Sequence, residues 1–194
     1  MNIVILASGR GSNAKRIFEV KKNGGLKNVE IKALLSDNPE AAALKIAEDF
    51  GIESRFVDTM RKGAFFNPEG TQNYINIIDS YNPDLIVLAG FMRILPVEFV
   101  EYYKDKIINL HPSLLPSFKG KHGILDAWNY GVKVSGCTVH YVNAELDAGK
   151  IIAQKVVPIE DNDTLESFEE KIHKAEYELL PKVIEDLSQK TQNL

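Results

Sequence analysis

Ile3-Val4-Ile5-Leu6-Ala7-Ser8-Gly9-Arg10-Gly11-Ser12-Asn13-Ala14 is the stretch on which the fold class turns. Ile3–Ala7 is apolar without alternation, as expected of a strand buried on both faces. Ser8–Asn13 breaks the run, and a helix is predicted from Ala14. The alternation continues downstream. Val29–Leu35 reads as a second strand, and Ser36-Asp37-Asn38-Pro39 as a helix start, with Asp37 as the cap before the proline. That helix carries Ala42, Leu44 and Ala47 on one side. Glu53–Val57 is a third strand, Asn67-Pro68-Glu69 opens another helix, and Asp84–Ala89 is the next buried strand. Pro96 starts a short helix, and Lys106–Leu110 is a further strand.

The second half has a different rhythm. Ser113–Gly123 is a loop with one proline and two glycines, followed by a short helix over Ile124–Tyr130. Ser135–Val142 and Lys150–Pro158 read as two strands joined by a turn at Asn143–Gly149. Asp163-Thr164 caps the last helix, with Glu166 three residues after Asp163. Its apolar stripe runs Leu165, Phe168, Ile172, Ala175, Leu179, Val183 and Leu187, and Pro181 is expected to kink it. The pattern predicts an α/β, Rossmann-like three-layer domain with a mostly parallel sheet and antiparallel strands toward the C-terminal half. A single domain is expected over residues 1–188, with a polar, frayed tail at 189–194. Ligands in such sheets bind at the C-terminal ends of the strands, which directs attention to the loops after Ala7, Ala89 and Leu110.

Composition narrows the function classes. The 194 residues hold 23 Lys and Arg against 27 Asp and Glu, a net charge of −4. A mildly acidic chain is a poor general binder of nucleic acid or anionic membrane. Cys137 is the only cysteine, so neither an internal disulfide framework nor a cysteine-cluster zinc site is expected, and a reducing, cytoplasmic setting is the simpler reading. The apolar runs are far below the ~18 residues of a transmembrane helix. The chain opens on a strand pattern, so no signal peptide is expected.

Gly9-Arg10-Gly11-Ser12-Asn13-Ala14 formally matches the G-x-G-x-x-A dinucleotide fingerprint. Three readings stand side by side: a phosphate site on free N–H groups at a helix start, a tight strand–helix turn, and a true dinucleotide site with Asp37 on the ribose. In Asn109-Leu110-His111-Pro112, an amide and an imidazole two residues apart on a strand point at one small volume. An amide NH₂ can stabilise a developing oxyanion, and a histidine can carry a proton. His140, on an alternating strand, and Asp147, in a polar turn, form a second half, since a carboxylate orients a neighbouring histidine and favours its charged form. His111, His140 and Asp147 could alternatively ligate a metal, but no H-E-x-x-H or tight ligand pair accompanies them. Cys137 sits in an apolar strand and no G-x-S-x-G occurs, which argues against covalent catalysis.

These pieces together resemble the folate-dependent phosphoribosylglycinamide formyltransferases of purine synthesis. The resemblance rests on Asn2–Ala7 with Gly9–Asn13, on Asp84–Leu95, on Asn109–Pro116 and on Gly136–Gly149, in order along most of the chain. It implies the formyltransferase fold, and 10-formyltetrahydrofolate as a co-substrate with no metal and no tightly bound prosthetic group. It implies that Gly11, Ser12 and Asn13 hold the ribose phosphate and sugar, and that Met92, Arg93, Ile94 and Leu95 line the folate pocket together with Asn109. Asn109 and His111 would face the transferring formyl group, and Asp147 would set the charge and orientation of His111. Glu176 looks like the helical carboxylate that contacts the glycinamide substrate. Beside the buried stripe, that residue also reads as a snorkelling edge position.

The reaction so implied is direct attack of the glycinamide amine on the formyl carbon. Asn109 would donate to the oxyanion and protonated His111 would help move protons to the leaving nitrogen. One departure is visible. Family members often place an arginine near the start of the helix opened by Asn67, whereas here Arg61 and Lys62 come earlier. The rivals are another folate formyl-group enzyme, either a formyltetrahydrofolate hydrolase or a tRNA formyltransferase, and a non-catalytic nucleotide-binding module. The short tail argues against the tRNA enzyme's further domain, and the strand at residue 2 against a preceding regulatory segment. The expected partners are small molecules, with no nucleic acid and no membrane, and the expected assembly is a monomer or homodimer. The loop Ser117–Gly123 is placed where it could close on the site.

Overall fold

The computed structural model describes residues 1–60 and 65–190. The elements run β1 (Asn2–Leu6), α1 (Ser12–Lys22), β2 (Glu30–Ser36), α2 (Ala42–Asp49), β3 (Ser54–Phe56), α3 (Pro68–Asp79), β4 (Leu85–Leu88), α4 (Val97–Tyr102), β5 (Ile107–His111), α5 (Gly123–Tyr130), β6 (Val134–Tyr141), β7 (Ile151–Pro158) and α6 (Leu165–Lys190). The strands form one seven-stranded sheet in the order β3-β2-β1-β4-β5-β6-β7. β1 to β5 pair in parallel, and β6 and β7 are antiparallel. The predicted α/β class with antiparallel strands in the C-terminal half is therefore what the chain adopts.

The apolar run of β1 follows from helices on both faces of the sheet. Ile3, Ile5 and Ala7 point to one side, where Ile17 and Phe18 of α1 and Ile172 and Leu180 of α6 close the core. Val4 and Leu6 point to the other, against Tyr74 and Ile78 of α3 and Phe99 of α4. Alternate residues on a strand face opposite ways, so a strand covered twice tolerates no polar position.

Three local expectations are corrected. Asp37 does not cap α2, which starts at Ala42 with Ala41 as its N-cap and no side-chain hydrogen bond there. The α6 cap is Thr164 with Ser167 instead of Asp163 with Glu166. Thr164 Oγ1 accepts from the Ser167 N–H at 3.2 Å, and Ser167 Oγ accepts from the Thr164 N–H at 3.0 Å, a reciprocal box one residue along. Asp163 instead accepts from Ser167 Oγ and Lys171 Nζ. Pro181 is buried inside α6, which runs as one helix to Lys190. Gln189 and Lys190 of the expected tail belong to that helix, and residues 191–194 lie outside the described ones.

Strand order positions the site. The chain builds outward from β1 to β2 and β3, then returns to lay β4 and β5 on the other side of β1. The loops after β1 and β4 thus leave the sheet in opposite directions and open a crevice between them, the usual ligand position in an open parallel sheet.

Candidate active site

On one side of the crevice is the β1–α1 loop. Gly11 is the N-cap of α1 with φ 71°, and a Cβ there would lie 2.7 Å from the Ala43 backbone of α2. Glycine is required at this point by both conformation and packing. α1 has no acidic residue in its first turn and Lys21 and Lys22 in its last, so charge and dipole agree in favouring an anion at its start. Gly9 and Arg10 are exposed beside it.

The first turn of α1 meets the middle of α6. Asn13 Nδ2 donates to Glu176 Oε2 at 3.3 Å, and His173 Nδ1 lies 2.9 Å from the same oxygen. Glu176 is buried, and its hydrogen bond pushes the His173 pKa above the ordinary value. The Asn13 Oδ1 atom is buried without a partner. A buried carboxylate beside an unsatisfied buried acceptor is costly unless a ligand supplies donors. Glu176 is therefore a walled-in group at the crevice and not a solvated edge residue.

The end of β5 carries the second cluster. Asn109 pairs with His140 and His111 with Thr138 across the antiparallel β5–β6 ladder. His140 Nδ1 donates to the Tyr141 carbonyl at 2.8 Å, which leaves Nε2 as an acceptor for Asn109 Nδ2 at 3.2 Å. Burial pushes the His140 pKa down, in keeping with this neutral tautomer. His140 Nε2 is also 3.7 Å from Asp147, but a nitrogen without a proton makes no ion pair there. His140 consequently orients Asn109. Asp147 Oδ1 lies 3.4 Å from Asn109 Nδ2, and its Oδ2 accepts the Gly120 N–H at 2.8 Å and faces His111 Nδ1 at 3.4 Å.

The loop after β5 is seated on this cluster. Besides the Gly120 contact, the Phe118 carbonyl accepts from His111 Nε2 at 2.8 Å, so both nitrogens of the His111 ring face protein acceptors. Thr138 secures the base of the loop, donating to the Ser113 carbonyl and accepting from the Leu115 N–H.

The wall after β4 was the part least visible in the sequence. Met92 is 60% and Ile94 37% exposed, two apolar side chains presented to solvent, while Leu95 packs on the α3–α4 side of the core. Asp37 accepts from Ser8 Oγ at 2.5 Å and from Arg93 Nε, and Ser8 Oγ accepts the Met92 N–H at 2.7 Å. Both carboxylate oxygens of Asp37 are thereby engaged.

A profile of the formyl transferase family matches residues 1–184. The chain belongs to this family. Among its relatives, a phosphoribosylglycinamide formyltransferase of Bacillus subtilis is 40% identical over 186 residues, covering 94% of this chain and 92% of its own. That of Escherichia coli is 38% identical over 185 residues, covering 95% of this chain and 85% of its own. A trifunctional purine biosynthetic protein adenosine-3 of Gallus gallus is 37% identical, and there the chain spans 18% of the relative's length. The crystal structure of phosphoribosylglycinamide formyltransferase from Bacillus halodurans superposes with a TM-score of 0.89 at 36% identity, covering 100% of this chain and 98% of that one.

Other features of this formyl transferase bear on its chemistry. Burial, reinforced by the charge of Glu176, pushes the Cys137 thiol up to about 12, so it is no nucleophile at neutral pH. Asn67 is spent as the N-cap of α3, its side chain accepting the Gly70 N–H at 2.7 Å; Arg61 and Lys62 lie outside the described residues. No group of three or more His, Cys, Asp and Glu among the described residues is arranged to hold a metal ion, and no helix among them is long and apolar enough to cross a membrane. A cavity of about 780 Å³ lined by Lys21, Lys22, Lys27 and Phe50 includes Met1 and Asn2, placing it at the far end of β1 from this chemistry.

Proposed function

We infer that this formyl transferase moves a formyl group from 10-formyltetrahydrofolate to the amine of N1-(5-phosphoribosyl)glycinamide, giving the N-formyl product and tetrahydrofolate in de novo purine biosynthesis. The observation that carries the reading is the convergence, at one switch point, of an anion-favouring helix start, the buried Asn13–Glu176 pair and the Asn109–His111–Asp147 cluster. The phosphate belongs on the α1 start at Gly11, Ser12 and Asn13. The glycinamide end belongs near Glu176 and the unpartnered Asn13 Oδ1, which needs a donor. The exposed apolar Met92 and Ile94, with the backbone of Met92–Leu95, fit a flat heteroaromatic ring carrying amide-like edges.

The folate supplies the formyl carbon, and the protein supplies position and proton handling. Asn109 has two N–H donors, one on His140 and one on the longer 3.4 Å contact to Asp147. The longer contact is the one a substrate oxygen replaces, after which the amide stabilises negative charge on that oxygen. His111 sits between two acceptors, and only a doubly protonated ring donates to both. For His111 to pass a proton to substrate, the Phe118 carbonyl must leave Nε2. Asp147 holds the ring and balances its charge.

A dinucleotide-binding role is disfavoured, because a ribose needs a free carboxylate at the end of β2 and Asp37 has none to offer. The proposed setting is the cytoplasm, and the proposed assembly is one domain over 1–188 as a monomer or homodimer. The test is a direct formyl-transfer assay with both substrates, with controls omitting each and a sample exhaustively chelated. Transfer is expected only with both substrates present and is expected to survive chelation. Transfer restored only by added zinc, or absent with the glycinamide substrate, overturns the reading.

A further inference from the structure

No step above uses the buried network that ties β1, β2 and the loop after β4 together. Asp37 is 8% exposed, and its two carboxylate oxygens accept from Ser8 Oγ and Arg93 Nε. Ser8 is itself fixed on both sides. Its N–H donates to the Gly90 carbonyl at 3.1 Å, its carbonyl accepts from Asn38 Nδ2 at 3.3 Å, and its hydroxyl accepts the Met92 N–H. We propose that Asp37 is a positioning residue that, through Ser8 and Arg93, sets the Met92–Leu95 segment for binding of the folate ring, an inference that rests on the function proposed above.

The physical need is plain in the segment itself. β4 ends at Leu88, Gly90 turns at φ 76°, and α4 begins only at Val97. Between them the chain exposes Met92 and Ile94 and, among the described residues, is paired by a single bridge, Ile94 to Phe65. Exposed apolar side chains gain nothing by staying put, so the segment must be held from beneath. Asp37 does this at two consecutive residues: at Met92 through the Ser8 hydroxyl, and at Arg93 through its side chain. The carboxylate also accepts a hydrogen bond from each of two donors, which offsets its burial. The same contacts join the segment to the β1 loop that leads into the proposed phosphate site.

Asp37→Asn keeps the shape but leaves one acceptor and turns an NH₂ toward either Ser8 or Arg93. Binding of 10-formyltetrahydrofolate by fluorescence titration, KM for both substrates, kcat and a thermal melt are measured on the whole chain. The folate Kd and KM are expected to rise about tenfold, as for a modest loss of positioning. The KM for phosphoribosylglycinamide and kcat at saturation should stay within about twofold, a split that general destabilisation would not produce. Ser8→Ala should shift the folate constants in the same direction, and it carries the test should Asp37→Asn fail to fold. Adding Arg93→Leu to Asp37→Asn should cost little more, because both act through one contact. Unchanged folate constants in the folded variants, or equal rises for both substrates, overturn the positioning role while leaving the proposed function standing. A wild-type chain that binds no folate overturns both.

Discussion

Asp147 holds a left-handed backbone, φ 49°, which Asp and Asn adopt more readily than other L residues. Asp147→Asn therefore removes the charge without adding backbone strain, and a kcat loss in that variant reports on the charge together with the one acceptor oxygen lost with it. A loss of at least about a hundredfold is expected, with folate binding retained, and the double variant with His111→Ala should be little worse than His111→Ala. Additive losses would separate the two residues. The glycines divide in the same way. At Gly11 a Cβ strikes the Ala43 backbone and the φ is positive, so Gly11→Val damages the fold, by about 1–3 kcal/mol or more, before it can report on a phosphate. A Cβ at Gly9 meets nothing within 4 Å. Gly9→Val is expected to stay within about 0.5 kcal/mol in chemical denaturation while raising the KM for the phosphorylated substrate. His173 supplies a pH signature. Its pKa is raised by its hydrogen bond to Glu176. The stability it contributes is thus fully present below its unfolded value of about 6.5 and is lost as pH rises through the higher folded one. In urea titrations across pH, the stability gap between wild type and His173→Ala should be widest below about pH 6.5 and narrow above it. A gap that widens with pH would contradict the pairing.

At the scale of elements, register does the work that single residues cannot. Asn109 stands opposite His140 because β6 returns antiparallel to β5, and a slip of one residue would turn the whole set to the other face. The helix starts show how local chemistry is allocated. Asn67, in the region where family members carry a folate-contacting arginine, accepts the Gly70 N–H and so caps α3. Asn67→Ala is expected to cost about 1 kcal/mol in stability, and to leave the folate KM unchanged. A large KM effect without destabilisation would return Asn67 to the binding site.

For the whole molecule, the decisive element is α6, which packs against β6, β7 and α1 and so carries Glu176 to Asn13. Leu180 of α6 is fully buried in the same cluster as Ile5 of β1 and Phe18 of α1. Leu180→Ala should therefore destabilise the entire chain by about 2–5 kcal/mol, in one cooperative transition. Separate melting of the C-terminal half would show that the sheet does not unfold as one unit.

Much of this was legible in the residues. Ile3–Ala7, Asp84–Ala89 and Lys106–Leu110 announced strands covered on both faces, because burial on both sides leaves an uninterrupted apolar run. The turn before Asn13, the cap at Asn67 and the Asn109–His111 spacing followed from local geometry in the same way. The roles of Asp37, Ser8, His140 and Glu176 did not. Asp37 before Pro39 has the look of a helix cap, yet its partners come from β1 and from the loop after β4, 29 and 56 residues away. The orientation of the Asn109 amide was settled by His140, and the burial of Glu176 by an asparagine 163 residues distant. Periodicity and capping rules act over a few residues, so they place each side chain on its own element. Which elements lie side by side is decided by the strand order of the sheet and by the packing of α1 against α6, and that tertiary arrangement made these polar groups one another's hydrogen-bond partners.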